Sequence, residues 1–351
     1  MIQLNSKIIA GLVWCLVFIN LTGTALAESC AEDQGQQNDS FSPGFSGSIQ
    51  PMIGIIHSKS LSEVSDENRK IDSLDEDADS ETEFAAMFLW DIGYTLENRS
   101  TRFFAGTPEQ NIIEGSFMLE AGIQQKLMNG TILSISYIPE IAGLADEVWE
   151  DPYLTGADRD ETDRESQAVR VGAESIFGSP LTLRYGFGTQ DIDNDKAGLD
   201  YYQRGTITYE EFRSLKRSGD FHQIEALYAI PLNNHIMIQP CLTYTKGDMD
   251  GDAYSFDRFS GQITFKTHLG KWNCFSTLSI EHTEYDATNP IFEKTREEWA
   301  YNAIIGAGYM APFGWNNFMF NIYSGFTKDD ANIGYYDSTA IICGIGLTWL
   351  F

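Results

Sequence analysis

After residue 27 the chain lacks any apolar run long enough to cross a membrane as a helix, which needs about 20 residues. It is also short of bases: 23 Lys and Arg stand against 51 Asp and Glu, a net charge of −28. That deficit excludes nucleic acid as a partner, because a phosphate backbone is held by Lys and Arg. Histidine and cysteine occur five times each. Neither is spaced as a zinc site, and no nucleophile motif surrounds a Ser or Cys. An enzyme is therefore not expected, and a barrel-wall hydrolase built on His57, His222 or His282 is the weakest alternative. No cofactor is called for, calcium being the one ion considered below.

What is present begins at the two ends. Lys7 precedes the apolar run 8–19, and Ala25-Leu26-Ala27 follows, the charged, apolar and small-residue order of a secretory signal peptide. Cleavage is expected after Ala27, leaving a flexible periplasmic lead over 28–44. At the other end, Ile341, Cys343, Ile345, Leu347, Trp349 and Phe351 alternate with small residues. An exposed apolar strand ending in aromatics invites aggregation in a soluble protein. In a membrane β-barrel such a strand closes the sheet and faces lipid. Trp349 and Phe351 are read as the signal for the barrel assembly machinery.

Between the ends, segments of about ten residues alternate in polarity, as transmembrane β-strands do. Fourteen are expected: 45–56, 84–95, 100–107, 112–126, 131–139, 165–176, 181–190, 221–232, 236–246, 254–268, 271–283, 297–310, 316–327 and 339–351. Twelve remain if the short segment 100–107 and a partner drop out. Tight turns, among them the Asn129-Gly130 hairpin signal, alternate with longer links. Short periplasmic turns and long acidic extracellular loops are the plan of an outer-membrane barrel. The fold class is thus all-β: a transmembrane, antiparallel, up-and-down barrel over 45–351, in the outer membrane of a Gram-negative bacterium, with membrane lipid around it.

Strand charges all fall opposite the apolar faces. The expected lumen lining is Asp91, Glu114, Glu120, Glu174, Glu225, Glu281 and Glu298, with Lys126, Arg170, Arg184, Arg258 and Lys266. Inward glycines such as Gly122, Gly306 and Gly344 are expected to thin the wall and leave space. Aromatics near strand ends, including Trp90, Trp272, Trp299 and Tyr301, are expected to form interfacial girdles. Cys241, Cys274 and Cys343 fall on different strands and are expected as thiols, although the compartment permits disulfides involving them or Cys30.

Three links carry alternating aspartates: Asp75, Asp77 and Asp79; Asp191, Asp193 and Asp195; Asp248, Asp250 and Asp252. Clustered carboxylates suit Ca²⁺, which takes six to eight oxygens, yet none of the runs completes an EF-hand. Solvated acidic loops are the other reading. The expected function is a passive channel for small solutes with mild cation preference. The alternative is a non-conducting barrel whose acidic loops bind a partner, a surface or divalent cations.

The segments 149–164 (WEDPYLTGADRDETDR), 249–259 (MDGDAYSFDRF) and 284–296 (EYDATNPIFEKTR) resemble those of a family of Gram-negative outer-membrane proteins, a domain of unknown function of the 2860 type. The resemblance spans about 41–351. It implies the barrel fold and the outer-membrane location, and it brings no functional residues with it.

Overall fold

The computed structural model of the chain describes residues 41–107, 119–139 and 146–351. Its strands are β1 (Gly44–Ser60), β2 (Ser80–Thr95), β3 (Thr101–Gly106), β4 (Glu120–Lys126), β5 (Ile132–Ile138), β6 (Asp146–Trp149), β7 (Glu161–Glu174) and β8 (Leu181–Ile192). They continue as β9 (Gly219–Tyr228), β10 (Ile230–Asn233), β11 (Ile236–Met249), β12 (Phe256–Leu269), β13 (Trp272–Asn289), β14 (Lys294–Met310), β15 (Phe318–Ala331) and β16 (Ser338–Leu350). β9 and β10 are one strand interrupted at Ala229, and β6 continues the stave of β5, since both pair with the same edge of β7 (Ile138 opposite Ala168, then Asp146 opposite Arg164). The ring therefore has fourteen staves, all antiparallel, and closes where β1 pairs with β16.

The period-two pattern decides which way each stave faces. On β16, Ile341, Ile345 and Trp349 are exposed while Gly344, Gly346 and Thr348 are buried. β2 does the same, with Phe84, Phe88 and Tyr94 outward and Ala85, Gly93 and Thr95 inward. A closed sheet with an apolar exterior of this kind is stable only in lipid, where every backbone group must find its partner within the ring. Trp272, Trp299, Trp315, Trp349, Tyr94, Tyr137, Tyr228 and Tyr301 all stand exposed on this wall, as girdle residues do. On the same wall a cleft of about 590 Å³ lies over Ser324 and Cys343, flanked by Ile53, Ile55, Ile305 and Ile322. It faces lipid and is separate from the lumen. Cys241, Cys274 and Cys343 are free thiols.

Several expectations are corrected. The strand expected over 112–126 is described only from Glu120, so Glu114 lies outside the described residues. The links 57–83 and 140–164 are shortened, because β1 runs to Ser60, β2 starts at Ser80 and β7 starts at Glu161. The end of the lead is not free: Phe41 is buried, with the Lys126 ammonium 5.5 Å from its ring. Lys126 points into the periplasmic end of the lumen, and Phe41 enters there with it.

The inward glycines do not leave space. A Cβ on Gly344 would lie 2.1 Å from the Tyr323 hydroxyl, and one on Gly306 would lie 2.2 Å from the Phe275 ring. The rings lie flat over the glycines of neighbouring staves, covering the bare backbone that a strand glycine exposes. Sequence periodicity places a glycine on the inner face but not the aromatic beside it, which depends on register.

Candidate functional site: the lumen and its roof

The lumen charges are paired. Arg170 reaches across β5 to Glu120 in a buried ion pair. Arg184 bridges Glu225 at 2.9 Å and Glu174 at 3.3 Å. Arg258 lies 3.2 Å from Glu281 and also donates to Thr283. Asp91 meets Arg102 at 3.5 Å, and Glu298 is held by Arg296. Lys266 is buried on the inner face. Of the expected lining, Asp91, Glu120, Glu174, Glu225, Glu281 and Glu298, with Lys126, Arg170, Arg184, Arg258 and Lys266, all face inward. Three further bases, Arg102, Arg164 and Arg296, were missed. They bring the bases to eight against the seven acids of the expected lining, more than covering its deficit of two.

Toward the periplasmic end the inner face carries a neutral chain. Thr348 Oγ1 donates to Gln50 Oε1 at 2.8 Å, and Asn321 Nδ2 donates to Thr348 Oγ1 at 2.8 Å. Threads of this kind satisfy polar groups that face one another across neighbouring staves.

The larger surprise is at the extracellular end. Six links, 61–79, 150–160, 193–218, 250–255, 290–293 and 332–337, pack into one apolar core. Leu61, Ile71, Leu74, Tyr153, Ala197, Ile207, Leu215, Ala253, Ile333, Tyr335 and Tyr336 are all buried in it, and Phe292 packs against it. Just beneath, Ile138, Ala168, Phe221, Met249 and Phe256 fill the top of the lumen from β5, β7, β9, β11 and β12. The long links are thus a folded roof rather than a solvated fringe.

Polar groups inside the roof are tied to one another. The Tyr153 hydroxyl lies 2.7 Å from those of both Tyr254 and Tyr336, and Asn289 Nδ2 donates to Tyr153 at 2.8 Å. Burial pushes the Tyr153 and Tyr336 hydroxyls well above the usual phenol range, so they act as neutral donors and acceptors. Arg159 is fully buried. It donates to the carbonyls of Leu61 (2.8 Å), Pro152 (3.2 Å) and Asn68 and to the Tyr335 hydroxyl, while its guanidinium stacks 4.3 Å from the Trp149 ring. Arg217 joins the links 150–160 and 193–218, pairing with Asp195 and donating to the Trp149 carbonyl at 2.8 Å. Asp151 accepts from the backbone N–H groups of Tyr153, Gly198 and Asp200.

The three aspartate runs are scattered by this packing. Asp195 is taken by Arg217, and Asp191 accepts from Ser218 Oγ. Asp248, Asp250 and Asp252 are exposed at the end of β11. Asp79 and Asn68 exchange backbone and side-chain hydrogen bonds, whereas Asp75 and Asp77 stay on the surface. Among the described residues no three of His, Cys, Asp or Glu converge as metal ligands. Protease digestion of 61–79, 193–218 and 250–255 on intact cells should therefore run equally fast with calcium and with chelator. Protection by calcium would restore an ion to these loops.

The three rim histidines point outward. His282 stacks on Trp299 at 4.2 Å, His222 receives or gives a bond to the Tyr185 hydroxyl at 2.8 Å, and His57 does so with Thr82 at 2.8 Å. They belong to the girdle, away from the lumen.

With that geometry in place, comparison with known sequences gives one decisive match, over residues 44–350. The chain belongs to the DUF2860 family, proteins of unknown function. The family match begins with β1 and ends with β16, so it covers the whole ring. No curated protein matches the sequence. Among solved structures, the ring is similar to the TodX monoaromatic hydrocarbon channel (9% identity, 89% of this chain and 92% of that one, TM-score 0.47). It is also similar to a loop-deleted OmpT, an outer membrane protein of Vibrio cholerae (11%, 88% and 100%, TM-score 0.38). A third is an anion-selective porin from Comamonas acidovorans (9%, 88% and 100%, TM-score 0.40). At such identities and scores these neighbours say nothing of solute or selectivity, and the fold of this DUF2860 chain rests on its own strand pairing.

Proposed function

We propose that this DUF2860 barrel sits in the outer membrane of a Gram-negative bacterium and passes small solutes passively, with its roof closing the extracellular mouth at rest. The observation that carries the reading is the combination of a polar inner wall with a separately folded roof. Fourteen staves enclose more width than a single layer of side chains fills, since eight-stranded barrels are filled and sixteen-stranded ones are open. A wall lined by Arg184, Glu225, Arg258 and Glu281 suits hydrated solutes. No catalytic role and no cofactor form part of the proposal. Its partners are membrane lipid, the barrel assembly machinery that reads Trp349 and Phe351, and the solute.

The mild cation preference remains part of the proposal, with its source moved. Paired charges contribute little net field at mid-depth. The acids exposed on the outer links, Asp75, Asp77, Asp248, Asp250 and Asp252, act over a screening length of about 10 Å and enrich cations at the mouth. Arg184→Gln should leave Glu174 and Glu225 without their shared base and raise the cation-to-anion permeability ratio several-fold. Reversal potentials across a salt gradient read this directly, and an unchanged ratio would remove Arg184 from the pathway.

Single-channel recording of the purified protein in a planar bilayer tests the whole reading. Expected are long closed periods with brief steps of current. A second reading has an observation of its own in the burial of Phe41 at the periplasmic end and of the roof at the other: a non-conducting barrel that presents its acidic loops to a partner. Silence from the wild type and from roof-breaking variants alike would favour it.

A further inference from the structure

The outer wall turns basic at one place, the seam of β1, β16 and β15. On these staves Ile55, Ile341 and Phe326 are exposed near the top of the apolar band. Above them comes a polar row in which Lys59 pairs with Thr339, and Thr339 with Lys328. Both lysines are exposed. Two strand spacings separate them, about 10 Å, with Thr339 in between. Lys328 has one acid close by, Asp330 at 3.4 Å, and both of those side chains are about half-exposed.

Elsewhere the same level is acidic. The first charged residue above the band is Glu165 on β7, Asp191 on β8, Asp220 on β9, Asp257 on β12, Glu284 on β13 and Glu297 on β14. Lys246 on β11 is held by Asp257 at 3.5 Å and Asp286 at 3.4 Å.

The cleft of about 590 Å³ lies directly below the two lysines. Cys343 on its floor is four residues from Thr339 along β16, about 13 Å. The floor is low because Cys343 and Ser324 stand side by side between Ile55 and Ile305, in one row across four staves. Their thiol and hydroxyl lie 3.3 Å apart, so each answers the other's polar group. The walls, Ile53, Ile55, Phe84, Ile305 and Ile322, are apolar. Any hydrocarbon fills a dent in a lipid-facing wall; a dent beneath two bases selects one with an anionic head.

We propose that this seam binds one phosphate-bearing lipid of the outer leaflet, its phosphate between Lys59 and Lys328 and one acyl chain running over Ile341 into the cleft at Cys343 and Ser324. Lysine suits the position because its stem lies along apolar surface while the ammonium reaches the headgroups. Bases at a membrane surface attract anionic headgroups, and the acids around the rest of the ring repel them. The site rests on the outer-membrane placement above and is independent of conduction.

Native mass spectrometry of the folded barrel tests it, in micelles holding either lipid A or the same lipid stripped of its phosphates. The wild type should retain one lipid A and bind the stripped lipid at least tenfold more weakly. The double variant Lys59→Gln/Lys328→Gln should lose that preference, and Ser324→Phe, which fills the cleft, should lose at least tenfold in binding. Lys246→Gln should behave as the wild type. Equal retention of both lipids, or a preference unchanged in the double variant, overturns the proposal. So does full displacement by inorganic phosphate, which would leave a free anion site, or a dimer whose second copy covers the seam and excludes lipid. A wild type that gives no heat-modifiable band in lipid would take down the outer-membrane placement first, and the site with it.

Discussion

Replacing Arg159 with Ala should open the barrel. The side chain is fully buried and donates to three loop carbonyls and to Tyr335. Hydrogen bonds to a charged group contribute about 1.5–3 kcal/mol each, and a carbonyl left buried without its donor costs more. Losing even two of these should cost the roof about 3 kcal/mol, on the order of a 100-fold shift toward open. Sustained current in place of brief steps is the expected recording. Arg159→Lys should not rescue it, because an ammonium lacks the planar fork and the stacking face that Trp149 receives. Current as rare as in the wild type would mean that the apolar core alone holds the roof.

A charge on the outer wall should abolish assembly. Ile345 stands exposed on β16 and pairs with Ile53 on β1 and Ile322 on β15, in the middle of the lipid-facing band. Arg there should cost about 2–4 kcal/mol at mid-depth, enough to cut the folded fraction by tenfold or more. Ser279→Arg, on the inner face of β13, should assemble normally because its head meets the lumen. The heat-modifiable band on a gel separates the two outcomes. Equal folding of both variants would mean that this wall does not face lipid.

The staves were legible because lipid imposes a strict rule at every second residue. Ile341 to Phe351, and Phe84 to Tyr94, show their faces without any knowledge of neighbours. The lumen was legible as a set of charges but not as pairs. Arg170 finds Glu120 across an intervening strand, and Arg184 takes two acids, neither of which follows from spacing along the chain. The roof was not legible. Tyr153, Tyr254 and Tyr336 obey no period, and their hydroxyls meet only in space. One trace was there to read: links holding Trp149, Tyr153, Tyr254, Phe292, Tyr335 and Tyr336 are richer in aromatics than solvated loops need to be. Acidity drew attention to the aspartates instead, most of which lie outside the core.

The seam between the first and last staves ties the roof to the ring. Gly47 and Phe351 exchange backbone hydrogen bonds there, at 2.9 and 3.0 Å. Tyr335 and Tyr336, just ahead of β16, bond to Pro152 and Tyr153, contacts 183 residues apart in the chain. Closure of the wall and anchoring of its cover thus hang on one stretch of chain: losing residues 334–351 would take away the last stave and both tyrosine contacts at a stroke.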